Sequence, residues 1–295
     1  MNVWIMAVRP WSLIASAAPV ILATALAVAD GTVHWPSLPL LLICAALIQI
    51  SSNLINDLED AKRGADAKRV GPLRAVSSGL ISARSMRNVS LIVIVAAFVI
   101  GQPLVFRAGW EILLIGVACL IAAWAYTGGP FPLAYHGLGD AAAFVFFGLI
   151  AVVGTYYVHA CVWSADSFIV ALGPGFLAAN ILAVNNIRDI PTDAEVGKRT
   201  FAVRIGSTSA RRLYAAFMLA AVIVPSYVLS QDRGPWLWLP LVSLPYGLFL
   251  ASMVLKRTGA ELNKALAGTA MFYLLYTVLM SVALVADSYS VTSNQ

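Results

Sequence analysis

Two stretches of this 295-residue chain carry asparagine and aspartate at helical spacing. One, NLINDLED, holds Asn53, Asn56, Asp57 and Asp60; the other, NNIRDIPTD, holds Asn185, Asn186, Asp189 and Asp193. Residues three or four apart share a helix face. Asn53, Asp57 and Asp60 therefore form one stripe, and Asn185, Asp189 and Asp193 another, with Pro191 expected to break the second helix. If the stripes meet, carboxylates about 5 Å apart repel by roughly 3 kcal/mol at an effective dielectric near 20, so the cluster needs cations. Asp and Asn oxygens without Cys or His select Mg²⁺ or Ca²⁺ over zinc or copper. Mg²⁺ in particular takes one or two carboxylates, waters and substrate phosphate oxygens. Lys62, Arg63, Lys68, Arg69, Arg74, Lys198 and Arg199 lie in the same loops and offer donors to further phosphate oxygens. Either acidic motif alone reads as a solvated helix end, and any cytoplasmic loop gathers Lys and Arg. The matched pair of motifs is what points to a site.

The elements around these residues are membrane-grade. Mean hydropathy is +0.84, 60% of residues are hydrophobic and only 11% are charged, which excludes an ordinary soluble domain. Crossing a bilayer takes roughly 20 apolar residues per helix. Nine such runs are expected, near 11–30, 36–58, 88–107, 110–127, 138–161, 167–187, 212–230, 235–255 and 265–286. The first is too long, and too continuous with later spans, to read as a cleaved signal peptide. With nine spans, 17 of the 19 basic residues fall on the side of the N-terminus; Arg107 and Arg233 lie opposite. Basic residues mark the cytoplasmic side, so the N-terminus and both acidic motifs are expected there. An apolar bundle below such a cluster suits a diphosphate with a lipid tail.

The two motifs also look duplicated. Asn53 and Asn185 each precede an Asp by four residues, and the pairs lie 132 positions apart. An offset of four helices puts both on one membrane face with the same polarity, as two half-bundles related by an axis along the membrane normal would. We expect one domain over 1–295, with repeat halves at about 11–127 and 138–255 and a last helix at 265–286. A transporter with repeated halves is the rival, but it expects ionisable groups near the bilayer midplane, and these gather at one interface.

The net charge of +5 is a topology signal. No basic tract interleaved with aromatics points to nucleic acid. Cys44, Cys119 and Cys161 lie within apolar runs without CxxC spacing and read as small buried hydrophobes; no Cys/His cluster suggests zinc. Tyr126, at the end of the fourth run, reads either as an interfacial tyrosine or as a group facing substrate. Asp140 reads as an N-cap or as an acceptor contact. Asn180 and Gln49 are expected to serve helix packing, and Arg9-Pro10 to anchor the first run. ISARSMRN and GSTSARRLY offer Ser and Thr caps to the third and seventh helices.

NLINDLEDAKRGAD, RVGPLRAVSSGLIS and NNIRDIPTDAEVGKRTFAVRIG together resemble the UbiA superfamily of intramembrane prenyltransferases. Within it they are similar to the branch acting on 1,4-dihydroxy-2-naphthoate in menaquinone synthesis, which YTGGPFPLAYHGLGD at 126–140 also fits. The likeness runs from RPWSL near Arg9 to the last span. It implies an all-α integral membrane bundle of nine helices with a central cavity open to lipid, in a bacterial inner membrane. Two Mg²⁺ ions would be held by Asp57, Asp60, Asp189 and Asp193 with Asn53 and Asn185, and would bridge a polyprenyl diphosphate. Asn56, Asn186 and the loop Lys and Arg residues would bind substrate, with Tyr126 and Asp140 near the aromatic acceptor. In hydroxybenzoate-type members a third motif-one Asp falls at the position of Gly64; here the next acid is Asp66, a candidate metal ligand in its place. The Lys-Arg pair of those members is also missing after Tyr126, and both departures favour the naphthoate branch. Homogentisate, 4-hydroxybenzoate, a porphyrin or a glycerophosphate lipid are the alternative acceptors.

Overall fold

The structure is a computed structural model that describes residues 2–65 and 73–292. Its helices follow the nine expected runs: α1 Val3–Ala29, α2 Ser37–Lys62, α3 Ala83–Ala108, α4 Trp110–Ala125, α5 Gly139–Ala160, α6 Ala165–Arg188, α7 Ser207–Asp232, α8 Pro235–Lys256 and α9 Gly259–Ser290. Among the described residues eight are long and apolar enough to cross a membrane. The exception is α4, whose 16 residues rise about 24 Å against a hydrocarbon core of roughly 30 Å. Apolar side chains on the outside say what surrounds them. On α3, Leu91, Ile92, Val95, Phe98 and Val99 are all exposed, a continuous helical face that water would penalise and lipid would not. This is an integral membrane protein.

The main core lies between α1 and α5–α9, around the fully buried Tyr214, Phe272, Tyr273 and Tyr276. Where α5 meets α6 the backbones nearly touch: a β-carbon on Gly148 would sit 2.5 Å from the α-carbon of Gly175. Only paired glycines allow that approach. Gly148 also lies in a π-helical turn, Val145–Ile150. A smaller cluster of Ala7, Leu54, Leu58, Ala75, Ile81 and Met86 packs the start of α1 and the 75–81 turn against the end of α2. In each half of the chain, the acid-ended helix makes its most extensive contact with the helix after its loop, α2 with α3 and α6 with α7.

Three local breaks shape the polar end of the bundle. α1 is interrupted at Arg9, whose φ of 54° is left-handed. The residue before a proline is pushed out of the right-handed helical region, and the helix restarts at Pro10. α6 ends at Arg188, and a new short helix, Ile190–Glu195, begins with Pro191 in its first turn, where proline is tolerated. The expected Ser82 cap of α3 forms, accepting from the Ser85 N–H at 3.1 Å. The expected Ser/Thr cap of α7 does not. Gly206 holds that position at φ 81°, joining α7 to the short helix Phe201–Ile205, which Thr200 caps.

Candidate active site

The C-terminal turns of α2 divide their polar groups between two tasks. Asn53 donates to the Val8 carbonyl at 2.8 Å and to the Ser12 hydroxyl at 2.7 Å. Asp57, 1% exposed, accepts from the backbone N–H groups of Ala75 at 2.9 Å and Val76 at 3.1 Å, one on each oxygen. Both side chains thus tie neighbouring backbone to α2, and neither lines the cavity described below. Asn56 and Asp60 do line it. Asn56 accepts from Thr127 at 2.6 Å; Asp60 accepts from the Tyr135 hydroxyl at 2.8 Å and faces Arg74 at 3.4 Å.

Asn185 and Asp189, four residues apart like Asn56 and Asp60, approach from the end of α6. The matching pairs are three residues out of register with the pairing expected from Asn53 and Asp57. Sequence spacing does not separate the alternatives, because three and four residues both make about one turn. Arg188 holds Asp189 in a fork, Nε to Oδ1 at 2.7 Å and Nη2 to Oδ2 at 2.6 Å, while its Nη1 reaches Asn263 on α9 at 2.7 Å. One turn on, Asp193 faces Lys198 at 3.7 Å.

Asn56, Asp60, Asn185, Asp189 and Asp193 share one cavity of about 130 Å³, open at the polar end of the bundle. Of the expected site residues it brings together Asn56, Asp60, Arg74, Tyr126, Asp140, Asn185, Asn186, Asp189, Asp193 and Lys198. Asp140 does not cap α5, whose N-cap is Leu138; it lies in the first turn and accepts from Asn186 at 3.2 Å. Lys62 pairs with Glu59 at 2.6 Å and stays outside the cavity. Arg63 and Arg199 line a neighbouring pocket. Asp66, Lys68 and Arg69 lie outside the described residues. Arg9, Thr127, Thr200 and Phe201 line the cavity, and Tyr135 reaches it through Asp60. Of these only Arg9 drew attention in the sequence, as an anchor. Tyr126, just past the end of α4, is half-buried; desolvation first, then the negative charges of Asp140, Asp60 and Asp193, push its phenol pKa up, against a smaller pull from Arg9. It enters any chemistry as a neutral hydroxyl and a π face.

A model of the UbiA prenyltransferase family matches residues 16–276. The chain belongs to the UbiA prenyltransferase family. It is similar to the 1,4-dihydroxy-2-naphthoate octaprenyltransferase of Mycobacterium tuberculosis, 37% identical over 283 residues that cover 95% of this chain and 96% of the relative. The enzyme of that name in Escherichia coli K12 is 36% identical over 263 residues, covering 86% and 85%. A solved structure of a UbiA homolog from Archaeoglobus fulgidus bound to GPP and Mg²⁺ has the same fold, with a TM-score of 0.72 over 97% of this chain and 100% of that one, at 16% identity.

The donor set of the family cavity can be judged on its own chemistry. Asp60, Asp140, Asp189 and Asp193 face Arg9, Arg74 and Lys198 across one space, so both a cation and an anion find partners. The oxygen donors are hard, which fits Mg²⁺ or Ca²⁺. Among the described residues no three acidic, His or Cys side chains converge as a ready-made cage.

Proposed function

We propose that the protein transfers a polyprenyl group from polyprenyl diphosphate to 1,4-dihydroxy-2-naphthoate with loss of CO₂, giving the reduced form of demethylmenaquinone. The observation that carries this is the meeting of Asn56 and Asp60 with Asn185, Asp189 and Asp193 in one cavity that also holds Arg9, Arg74 and Lys198. The names of the relatives at 36–37% identity support the acceptor.

Asp60, Asp189 and Asp193, with Asn56 and Asn185, would hold Mg²⁺, and two ions would suit the two motifs. Bound there, the metal would supply charge neutralisation to the diphosphate. Arg9, Arg74 and Lys198 donate to the remaining phosphate oxygens and stabilise the leaving group. The allylic C–O bond breaks with its electron pair going to diphosphate. The electron-rich ring then attacks the allylic carbon, and the C–CO₂⁻ bond breaks, returning its pair to the ring. Tyr126 presents a neutral hydroxyl and a π face to this event, while Asp140 and Asn186 orient the acceptor. The apolar bundle keeps water from the allylic cation. The site faces the cytoplasm, with the N-terminus on the same side, because 17 of 19 basic residues gather there.

The test is product analysis by mass spectrometry with purified protein, Mg²⁺, a polyprenyl diphosphate and a panel of acceptors. Prenylated, decarboxylated naphthoate is expected. Product with homogentisate or 4-hydroxybenzoate and none with the naphthoate overturns the acceptor; no covalent product with any acceptor overturns the transferase reading.

A further inference from the structure

A second pocket opens beside the catalytic cavity, lined by Arg63, Arg199, Arg204, Tyr135, His136 and Pro132 among others. Three guanidinium groups share it, and among the described residues none of the three pairs with a carboxylate. The Arg63 side chain donates to the Gly129 carbonyl at 3.3 Å, and Arg204 to the Arg199 carbonyl at 3.3 Å. Arg204 is set in place by backbone. Gly137 has φ 72°, and a β-carbon there would come within 2.7 Å of the Arg204 Nε, so the side chain lies where only glycine leaves room. The Tyr135 and His136 rings and two prolines make much of the remaining wall. His136 stacks on Phe131 with ring centroids 3.8 Å apart, and the Arg63 guanidinium lies 4.9 Å from the centre of the Tyr135 ring.

We infer that this pocket is a docking site for the carboxylate of an aromatic acid, the acceptor on its way into the catalytic cavity; this rests on the function proposed above. Among the described residues no acidic side chain lines it, whereas the main cavity carries Asp60, Asp140, Asp189 and Asp193. Guanidinium forks pair with carboxylates, and ring and proline surfaces suit a flat aromatic body. Tyr135 connects the two spaces, lining the pocket with its ring while its hydroxyl bonds Asp60 at 2.8 Å. Separation also serves the chemistry. Guanidinium contacts stabilise a carboxylate and so oppose its loss as CO₂. An acceptor captured here and released into a cavity where its carboxyl is less firmly held avoids that penalty.

The experiment compares equilibrium binding of 1,4-dihydroxy-2-naphthoate and of 1,4-dihydroxynaphthalene, which lacks the carboxylate, to the detergent-purified full chain, alongside turnover. The wild type is expected to bind the acid in preference, with the preference shrinking at high salt. Arg204→Gln should weaken acid binding and raise its KM by about five- to tenfold, leaving kcat and the prenyl diphosphate KM within about twofold. Arg204→Lys should recover part of the loss, and Gly137→Ala should reproduce it by displacing the arginine. The inference is overturned if the wild type binds both rings equally, or if Arg204→Gln changes the diphosphate KM instead. It is also overturned if Arg204→Gln, folded by its melting curve, binds the acid as the wild type does. Binding is read without product formation, so failure of the transferase reading shows separately, as a wild type that yields no prenylated naphthoate.

Discussion

Asp57 and Asp60 lie three residues apart on α2, yet their carboxylates meet different partners: Asp57 closes on the backbone N–H groups of Ala75 and Val76, and Asp60 opens into the cavity against Tyr135 and Arg74. The first relationship holds the 75–81 turn onto the helix; the second places an acid where substrate would bind. Substitution should separate them. Asp60→Asn is expected to cut turnover by roughly a hundredfold or more, as removal of one well-placed charge-stabilising group does, with little change in melting temperature. Asp57→Asn removes a charge-assisted acceptor from two backbone donors, which costs about 1–3 kcal/mol, and should lower the melting temperature in detergent by several degrees. Equal melting curves for both variants, with equal loss of turnover, would contradict this division.

Arg188 is buried, its side chain 1% exposed, and it grips Asp189, a carboxylate that lines the cavity, through two bonds. Its third contact, to Asn263, links the end of α6 to the start of α9. Breaking a fully buried pair by removing one partner costs about 3–5 kcal/mol, because the other charge remains; here Asp189 opens on the cavity, so the cost falls below that range. Arg188→Gln should therefore lower thermal stability well beyond any change at the exposed Arg257–Glu261 pair, where Arg257→Gln is expected to cost at most about 1 kcal/mol. Thermal unfolding of the two variants side by side checks the ranking.

Much of this arrangement was legible in the sequence, and what was not has physical causes. Apolar runs located the eight span-length helices among the described residues, and also α4, which is shorter than expected. Asn-to-Asp spacing of four found both motifs, and Pro191 announced the break after Asp189. The phase of α2 was not legible. Asn53–Asp57 and Asn56–Asp60 have the same spacing, and a period of 3.6 does not say which faces the cavity. Packing decides, through the Val8, Ala75 and Val76 backbone groups that the buried face meets. Thr127 and Tyr135 escaped because they sit in a segment of glycines and prolines, YTGGPFPLAYHGLGD, which has no periodic pattern to assign a face. The same limit hid Gly206, since Ser and Thr beside it promised a side-chain cap that a left-handed glycine replaced.

Metal dependence follows from the donor set. Asn56, Asp60, Asn185, Asp189 and Asp193 offer only oxygen, so activity should vanish on chelation and return with Mg²⁺, while zinc restores far less. In the proposed site phosphate oxygens would complete the shell, so the metal should bind more weakly without prenyl diphosphate than with it. Calorimetric titration of Mg²⁺ with and without a non-hydrolysable diphosphate analogue would show this; identical affinities would mean that the protein alone holds the ion.

Asn53 acts at a distance from the reacting atoms. Its amide donates to the Val8 carbonyl and the Ser12 hydroxyl, and the Ser12 hydroxyl in turn donates to the Arg9 carbonyl at 2.9 Å. These contacts bracket the left-handed Arg9, whose side chain lines the cavity. Backbone in that region carries a strain of about 1–3 kcal/mol for a residue other than glycine and persists only where its surroundings hold it. Asn53→Ala should free the segment, so that Arg9 no longer meets the diphosphate in a set position. The expected result is a prenyl diphosphate KM raised by about five- to tenfold, corresponding to one charge-assisted contact, with a smaller effect on the naphthoate KM. Asn53→Asp, which keeps an acceptor but loses the amide donor, should resemble the alanine variant. If Asn53→Asp instead behaves as wild type, the amide is not what positions Arg9, and the link from α2 to the start of α1 has no part in binding.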